Sequence, residues 1–200
     1  MIGREMVRHS GIAATAPWLE GRTASAVIGV LAFVIMTALG AHVRIPLPWT
    51  PVPVTLQTFF VSLAGATLGP ALGPASQAIY LLLGVAGLPV FAGGGSGVSY
   101  VLAGPTTGYL IGFVAASALV GWLVRRREDP GAAWILFSMA AGSLTIYACG
   151  VAWLAWSLRL SLAVAIAKGF LPFLVGDVVK TGAAVGFFRG YRRRVRDVFP

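Results

Sequence analysis

Long apolar runs alternate along the chain with short segments that are rich in glycine, proline or charge. A helix that spans a membrane needs about 20 mostly apolar residues, at a rise of about 1.5 Å each. The second and third runs are short by this measure, which is typical of broken or tilted helices around a cavity. The pattern predicts six spans, at about residues 24–41, 55–68, 75–85, 109–124, 132–158 and 169–188.

The segments between these runs differ in character. Four prolines within residues 42–54 forbid a regular helix and favour an extended loop. Residues 87–108 are so rich in glycine and proline that they predict a long loop, which we expect to fold back into the protein. The motif LGPALGP predicts a tight, uncharged turn between the second and third spans. A short connector at residues 159–168 precedes the last span.

Composition indicates a protein built for lipid. Of the 200 residues, 58% are hydrophobic and 10% are charged, whereas about 25% are charged in soluble domains. We therefore predict an all-α membrane protein of one domain, with six transmembrane helices and Gly/Pro-rich outer loops. Residues 1–22 are expected to form a cytoplasmic lead-in, residues 23–189 the transmembrane domain, and residues 190–200 a basic cytoplasmic tail.

Positive charge is concentrated at the ends of two spans, at residues 125–127 and 189–196. Together with the N-terminal segment, these clusters hold eleven of the 15 Lys and Arg residues, whereas the opposite face holds Arg44, Arg159 and Lys168. Because Lys and Arg collect on the cytoplasmic side of membranes, we expect both termini in the cytoplasm of a multi-pass cell-membrane protein. The arginine clusters carry no series of aromatic residues that could form a base-stacking platform, so we expect no nucleic-acid partner.

Two opposite charges interrupt the last apolar run. Asp177 and Lys180 are the only charged residues between Lys168 and Arg189, and a spacing of three puts both on one face of a helix. A charge at membrane depth costs at least about 2.5 kcal/mol and normally faces a partner, a cavity or a ligand. The pair therefore predicts a polar site within the bundle, or else an ion pair that only holds helices together.

Three ordered motifs carry a family resemblance: IPLPWTPVPVTLQTFFVSLAGATLGPALG, YLLLGVAGLPVFAGGGSGVSYVLAGPTTGYLIGF and PFLVGDVVK. Over residues 24–188 the chain resembles the BioY family, the biotin-specific substrate-binding (S) components of energy-coupling factor (ECF) transporters. The resemblance implies a six-helix protein that captures biotin from outside. It also implies that partner subunits, two ATPases and a transmembrane coupling subunit, complete the uptake. It assigns site roles to the Asp and Lys of the GDxxK stretch, Asp177 and Lys180.

The chemistry of biotin can be set against these residues. Biotin has an apolar fused ring, a urea-like edge with two N–H donors and one acceptor, and a carboxylate tail. Asp177 is suited to the N–H groups because an ionised carboxylate is an acceptor only. Lys180 offers a positive charge to the biotin carboxylate, or it neutralises Asp177 so that the latter stays ionised.

Five further residues are candidates for the site. Gln57 lies close below the proline loop, where its amide binds ligand or caps the loop backbone. Tyr80 and Tyr109 lie near the outer loops or midspan, and their hydroxyls need partners; for Tyr80 the alternative is packing between helices. The resemblance places Ser96 in the lining of the pocket under the glycine-rich loop, against an alternative of simple flexibility. Arg44 is expected to attract the anionic tail or to anchor the outer face to lipid headgroups.

Small residues recur at four-residue spacing, which lets helices pack closely. On the last span, Gly182, Gly186 and Gly190 lie roughly opposite the charged pair, so this face is expected to pack against a neighbour. S components of the family are thought to meet their coupling subunit through small residues of the first span. Ser25/Gly29 and Thr37/Ala41 are available there, but neither pair is the expected Ala-x-x-x-Ala pattern.

Other functions are less consistent with the chain. A rhomboid-like protease would need Ser96 and His42 on rigid helices, but Ser96 lies in a glycine-rich loop and His42 borders a proline run. No GxxxxGK[ST] phosphate loop is present, so we expect any ATP hydrolysis in partner subunits and no enzyme activity here. Cys149 is the only cysteine, and no metal or cofactor is expected. The alternatives that stay open are an S component for another small vitamin and a biotin carrier without the ATPase module.

Overall fold

A computed structural model describes residues 17–199, and within them most of the chain is helical. The long helices are α1 (Pro17–His42), α2 (Gln57–Val85), α4 (Thr107–Arg125), α5 (Ala132–Ser157) and α7 (Leu174–Val198). By length and apolar composition, the described residues contain five helices able to cross a membrane, one in each of these regions. The predicted all-α membrane architecture is confirmed.

Helix α2 is a hairpin whose two arms are residues 57–68 and 70–85. The side-chain amide of Gln57 donates to the hydroxyl of Tyr80 at 2.7 Å, although a straight helix would separate these residues by about 35 Å. The chain reverses at Gly69, whose φ of 82° and ψ of −173° suit glycine alone, and Pro70 begins the second arm. The predicted tight turn is therefore confirmed, and the two arms are the second and third of six spans.

Glycines set the closest approaches between helices. A Cβ on Gly65 would collide with the carbonyl of Ser117 on α4, and a Cβ on Gly108 would collide with the carbonyl of Cys149 on α5. Helix α4 thus packs against both α2 and α5, while α1 and α7 each pack against α2. Gly65 and Gly108 each belong to a series of glycines at four-residue spacing, Gly65/Gly69/Gly73 and Gly104/Gly108/Gly112, which is the spacing that lets helices pack closely.

Two expectations about small residues are wrong within this chain. Nothing within the described residues lies within 4 Å of a Cβ built on Gly182, Gly186 or Gly190, so the glycine face of α7 has no neighbour here. On α1, Thr37 and Ala41 are fully buried, because this face of the helix packs against α2. The pair Thr37/Ala41 is therefore not available on the surface.

Gly29 is not available on α1 either, because Leu68 and Phe199 cover it.

The outer loops contain more regular structure than predicted. The proline loop is closed by a two-stranded ribbon, β1 (Arg44–Ile45) and β2 (Val54–Thr55). The glycine-rich segment contains a 3₁₀ turn (Ala92–Gly94) and α3 (Gly97–Ala103). The connector before the last span contains α6 (Leu162–Gly169) and a second 3₁₀ turn (Leu171–Phe173). These short elements cover one end of the bundle.

The ends of the chain continue the outermost helices. Residues 17–22 of the predicted lead-in belong to α1, and the predicted tail is helical as far as Val198. The rest of the lead-in lies outside the described residues. A salt bridge of 2.7 Å joins Arg192 to Asp129 and holds the end of α7 against the segment between α4 and α5.

Candidate functional site

A cavity lies beneath the outer loops, between the first arm of α2 and helices α4, α5 and α7. Its volume is about 540 Å³, part of it open to solvent. Apolar and aromatic side chains form most of its walls: Val52, Leu110, Phe113, Ile146 and Phe173. Both predicted ions, Asp177 and Lys180, also line it. The charged pair therefore faces a mostly apolar space beneath the loops.

Asp177 lies in the first turn of α7, which begins after a 3₁₀ turn containing Pro172. Only 6% of Asp177 is exposed. The Tyr147 hydroxyl donates to its Oδ2 at 2.5 Å, and the Thr58 hydroxyl donates to its Oδ1 at 3.4 Å. The amino end of a helix favours negative charge, so both the donors and the helix stabilise the carboxylate.

Lys180 lies one turn further along α7 and forms a salt bridge with Oδ1 of Asp177. Its ammonium also donates to the carbonyl of Thr55 at 3.0 Å and to the hydroxyl of Thr58 at 2.8 Å. An ammonium group has three protons, so these contacts occupy all of them. Lys180 thereby ties α7 to the start of α2 and balances the charge of Asp177.

Gln57 and Tyr109 also line the cavity, as predicted, but each uses its polar atoms within the protein. Gln57 donates to Tyr80 at 2.7 Å and accepts from the hydroxyl of Thr55 at 3.0 Å. The hydroxyl of Tyr109 donates to the carbonyl of Gly169 at 2.8 Å. What Tyr109 offers to the cavity is therefore its ring.

Tyr80 lies behind the cavity rather than in its lining. It is 1% exposed, and its hydroxyl donates to the carbonyl of Val90 at 3.0 Å. Its ring meets Phe91 edge-on, with centroids 5.6 Å apart, and Phe91 stacks on Tyr100. Tyr80 thus holds the glycine-rich segment to α2 and orients Gln57, which matches the alternative of packing between elements.

Ser96 and Arg44 are not among the residues that line the cavity. Ser96 immediately precedes α3, and its side chain makes no capping hydrogen bond. Arg44 lies on β1 at the exposed outer face, where its guanidinium lies so close to Gly93 that a Cβ there would collide with it. The structure thus places both residues at the rim formed by the outer loops.

Sequence reasoning missed Thr58, Tyr100, Thr106 and Tyr147, all of which line the cavity. A signal existed for Tyr147, because a hydroxyl within an apolar span needs a hydrogen-bond partner. No local signal distinguished the other three.

Away from the cavity, Nδ1 of His42 pairs with the carbonyl of Ala38 at 2.9 Å, within its own helix. Among the described residues no group of His, Cys, Asp or Glu is arranged to hold a metal ion.

Comparison with known proteins places these features in a family. The model of the BioY family matches residues 13–197. A probable biotin transporter BioY from Pyrococcus horikoshii is 44% identical over 156 residues, which cover 78% of this chain and 89% of that protein. The biotin transporter BioY from Thermotoga maritima is 43% identical over 148 residues, which cover 74% and 84% respectively.

A solved structure shows the same architecture. It is the S-component for biotin from an ECF-type ABC transporter, and it superposes with a TM-score of 0.80. The match covers 92% of this chain and 97% of the solved chain, at 26% sequence identity.

Proposed function

The chain belongs to the BioY family, and we propose that it captures biotin and serves biotin uptake across the cell membrane as the S component of an ECF-type ABC transporter. The observation that carries the proposal is the buried Asp177–Lys180 pair facing an apolar cavity, in a fold that matches a biotin S component over 92% of the chain. The protein is a transport protein rather than an enzyme.

The cavity supports a specific division of roles. A carboxylate has about four lone-pair positions, and three donors already reach Asp177, which leaves it room to accept an N–H of the urea ring. The rings of Phe113 and Phe173 provide apolar walls for the fused ring. Lys180 balances the charge of Asp177, and its other protons are donated to Thr55 and Thr58.

The rim residues carry a second part of the proposal. Arg44 and Ser96 lie on the segments that cover the cavity, and Arg44 has a positive charge on the outer face. We assign to Arg44 the attraction of the biotin carboxylate as it approaches. Ser96 is assigned to the lining of the pocket under the glycine-rich segment, the role that the family resemblance implies.

The partners follow from the transporter class. An S component pairs with a coupling subunit and two ATPases, and this chain contains no phosphate loop of its own. The bilayer surrounds the exposed apolar face of α1, which carries Ile28, Leu31, Ile35 and Leu39. No cofactor enters the proposal.

Charge placement supports an orientation with both termini in the cytoplasm. The basic ends of α4 and α7 meet at the Arg192–Asp129 salt bridge. Arg126 stacks on the Trp122 ring at 4.0 Å, an aromatic–cationic pair suited to a membrane interface. In this orientation the ligand cavity opens to the outside. Residues 1–22 and 190–200 are then the cytoplasmic flanks of the transmembrane domain at 23–189.

A titration of the purified protein tests the proposal. We expect biotin to bind with nanomolar to low-micromolar affinity and to be recovered chemically unchanged. Thiamine and riboflavin serve as controls, because pockets for them are expected to rely more on tryptophan and acidic residues. Binding of either vitamin in place of biotin would favour an S component of different specificity.

Uptake in vesicles tests the role of the partners. We expect accumulation of biotin to require ATP together with the coupling subunit and ATPases. Equal uptake by the chain alone would instead identify a biotin carrier that acts without the ATPase module.

A further inference from the structure

Six residues that carry a hydroxyl group line the cavity, and five of these hydroxyls already donate their proton within the protein. Two of these donate to Asp177, and the other three donate to a side-chain amide oxygen or to backbone carbonyls. In chain order the five donors are Thr55 to Gln57, Thr58 to Asp177, Tyr100 to Ala92, Tyr109 to Gly169, and Tyr147 to Asp177. These hydroxyls are therefore occupied with holding the walls in place.

The sixth hydroxyl, that of Thr106, is different. Its Oγ1 is buried and has no hydrogen-bond partner among the described residues. Thr106 immediately precedes α4, where a threonine usually caps the helix, but its side chain makes no such bond. Leaving a buried hydroxyl unpaired is unfavourable, so this position calls for an explanation.

The backbone around Thr106 does not depend on its hydroxyl. The neighbouring hydroxyl of Thr107 donates to the carbonyl of Gly104 at 3.0 Å and also to that of Val101. The indole N–H of Trp153, on α5, donates to the same Gly104 carbonyl at 2.9 Å. These bonds hold the turn between α3 and α4 without the Thr106 hydroxyl.

We propose that Thr106 binds the ligand, its hydroxyl donating a hydrogen bond to an acceptor oxygen of bound biotin. Biotin carries such oxygens in its urea ring and in its carboxylate. Lys180 is a poor alternative donor, because its three protons are already used by Asp177, Thr55 and Thr58. This assignment rests on the proposed function. It adds a neutral hydrogen-bond donor to the cavity wall, in contrast to the charged pair on α7.

The test compares Thr106→Val and Thr106→Ser with the unaltered protein in biotin titrations. Valine keeps the shape but removes the hydroxyl, so we expect biotin to bind about tenfold more weakly. Serine keeps the hydroxyl and is expected to bind within about twofold of the unaltered protein. A matched control is Ser157→Ala, since Oγ of Ser157 is also buried and unpaired but does not line this cavity; we expect its affinity to be unchanged.

Thermal unfolding without biotin separates ligand binding from a structural role. Because Thr106→Val removes an unpaired buried hydroxyl, we expect its Tm to equal or exceed that of the unaltered protein. Norbiotinamine, which has an ammonium in place of the carboxylate, identifies the oxygen. If the carboxylate is the partner of Thr106, Thr106→Val should bind this analogue as tightly as the unaltered protein does. If the urea oxygen is the partner, the variant should bind the analogue more weakly as well.

Two results would overturn the proposal. One is equal biotin affinity for Thr106→Val and the unaltered protein. The other is a lowered Tm with equal weakening by valine and serine, which would make Thr106 structural. If the unaltered protein itself fails to bind biotin while remaining folded, the proposed function falls, and this assignment falls with it.

Discussion

At the residue scale, Asp177 and Lys180 form a unit with the side chains that surround them. Removing one member of a buried ion pair leaves the other charge uncompensated, which costs more than the pair itself contributes. The pair also ties α7 to Thr55 on β2 and to Thr58 at the start of α2. A substitution in this unit therefore affects both affinity and stability, and each experiment needs a measure of folding.

Replacing Asp177 with asparagine should weaken biotin binding by about 1.5–3 kcal/mol, because a charge-assisted hydrogen bond is lost. Calorimetric titration measures the affinity, and size-exclusion chromatography with a Tm measurement checks the fold. Unchanged affinity in a well-folded variant would exclude Asp177 as a ligand-binding residue.

Replacing Tyr147 with phenylalanine should weaken biotin binding by about 1.5 kcal/mol, because Asp177 loses the donor at 2.5 Å. The ring would still pack against Phe170 and Phe173, with centroids 4.9 and 6.2 Å away. Tyr191→Phe is the control, since Tyr191 shares a hydroxyl hydrogen bond of 2.8 Å with Thr67 away from the cavity. If both variants lost affinity equally, the effect would not be specific to the site.

Lys180→Ala should weaken the binding of free biotin and of a carboxylate-amidated analogue by similar factors. The reason is that Lys180 acts through Asp177 and α2, to which it is already bonded. Parallel titrations of the two ligands measure the factors. A much larger loss for free biotin would mean that Lys180 leaves these partners and binds the carboxylate.

At the scale of elements, the hairpin of α2 decides where the site forms. Its first arm brings Gln57 and Thr58 to the cavity, and its second arm brings Tyr80 up behind them. The turn at Gly69 lies against the guanidinium of Arg125, at the far end of α4. The turn of the hairpin therefore lies at the end of α4 opposite Thr107, where that helix begins.

Gly121 on α4 packs directly against the turn at Gly69. A Cβ there would collide with the backbone of Gly69 and Pro70, so Gly121→Ala should destabilise the protein by about 1–3 kcal/mol. Gly186→Ala on α7 is the control, because the space around Gly186 is open and alanine favours a helix. Thermal unfolding in detergent should show a lower Tm for the first variant only, and equal Tm values would argue against the tight contact.

Helix α7 has two unlike faces. The charged pair faces the cavity, whereas Gly182, Gly186 and Gly190 meet nothing else among the described residues. Helical periodicity alone predicted this separation of faces. It did not predict that the helices within residues 17–199 would leave the glycines uncovered, because that depends on how the helices are arranged around one another.

At the scale of the whole molecule, the distribution of charge predicts the direction of the protein in the membrane. Eleven of the 15 Lys and Arg residues lie on the predicted cytoplasmic side, and Arg44, Arg159 and Lys168 lie on the other. On that outer side, Lys168 donates to the carbonyl of Trp49 at 3.0 Å, which joins the connector to the proline loop. The outer loops therefore form one connected cover over the cavity.

Cysteine labelling tests this orientation. In a Cys149→Ala background, which has no other cysteine, Ser161→Cys should react with a membrane-impermeant maleimide on intact cells. Glu128→Cys should react only after the cells are opened, because it lies between α4 and α5 on the predicted cytoplasmic side. The reverse pattern of labelling would invert the proposed topology.

The six spans, the turn at Gly69 and the common face of Asp177 and Lys180 could be predicted from the sequence. Each is a local property, because apolar length, glycine conformation and helical periodicity depend on neighbouring residues. The family resemblance followed from ordered motifs, which are also read along the chain.

The contacts of the site were decided by the tertiary structure. Tyr147 meets Asp177 across 30 residues of sequence, and Lys180 meets Thr58 across 122. These contacts depend on how each helix is rotated about its axis and on where glycines let it approach a neighbouring helix. The same is true of the unpaired hydroxyl of Thr106 and of the burial of Thr37. Rotation and approach are set by packing against distant residues, so no local pattern specifies them.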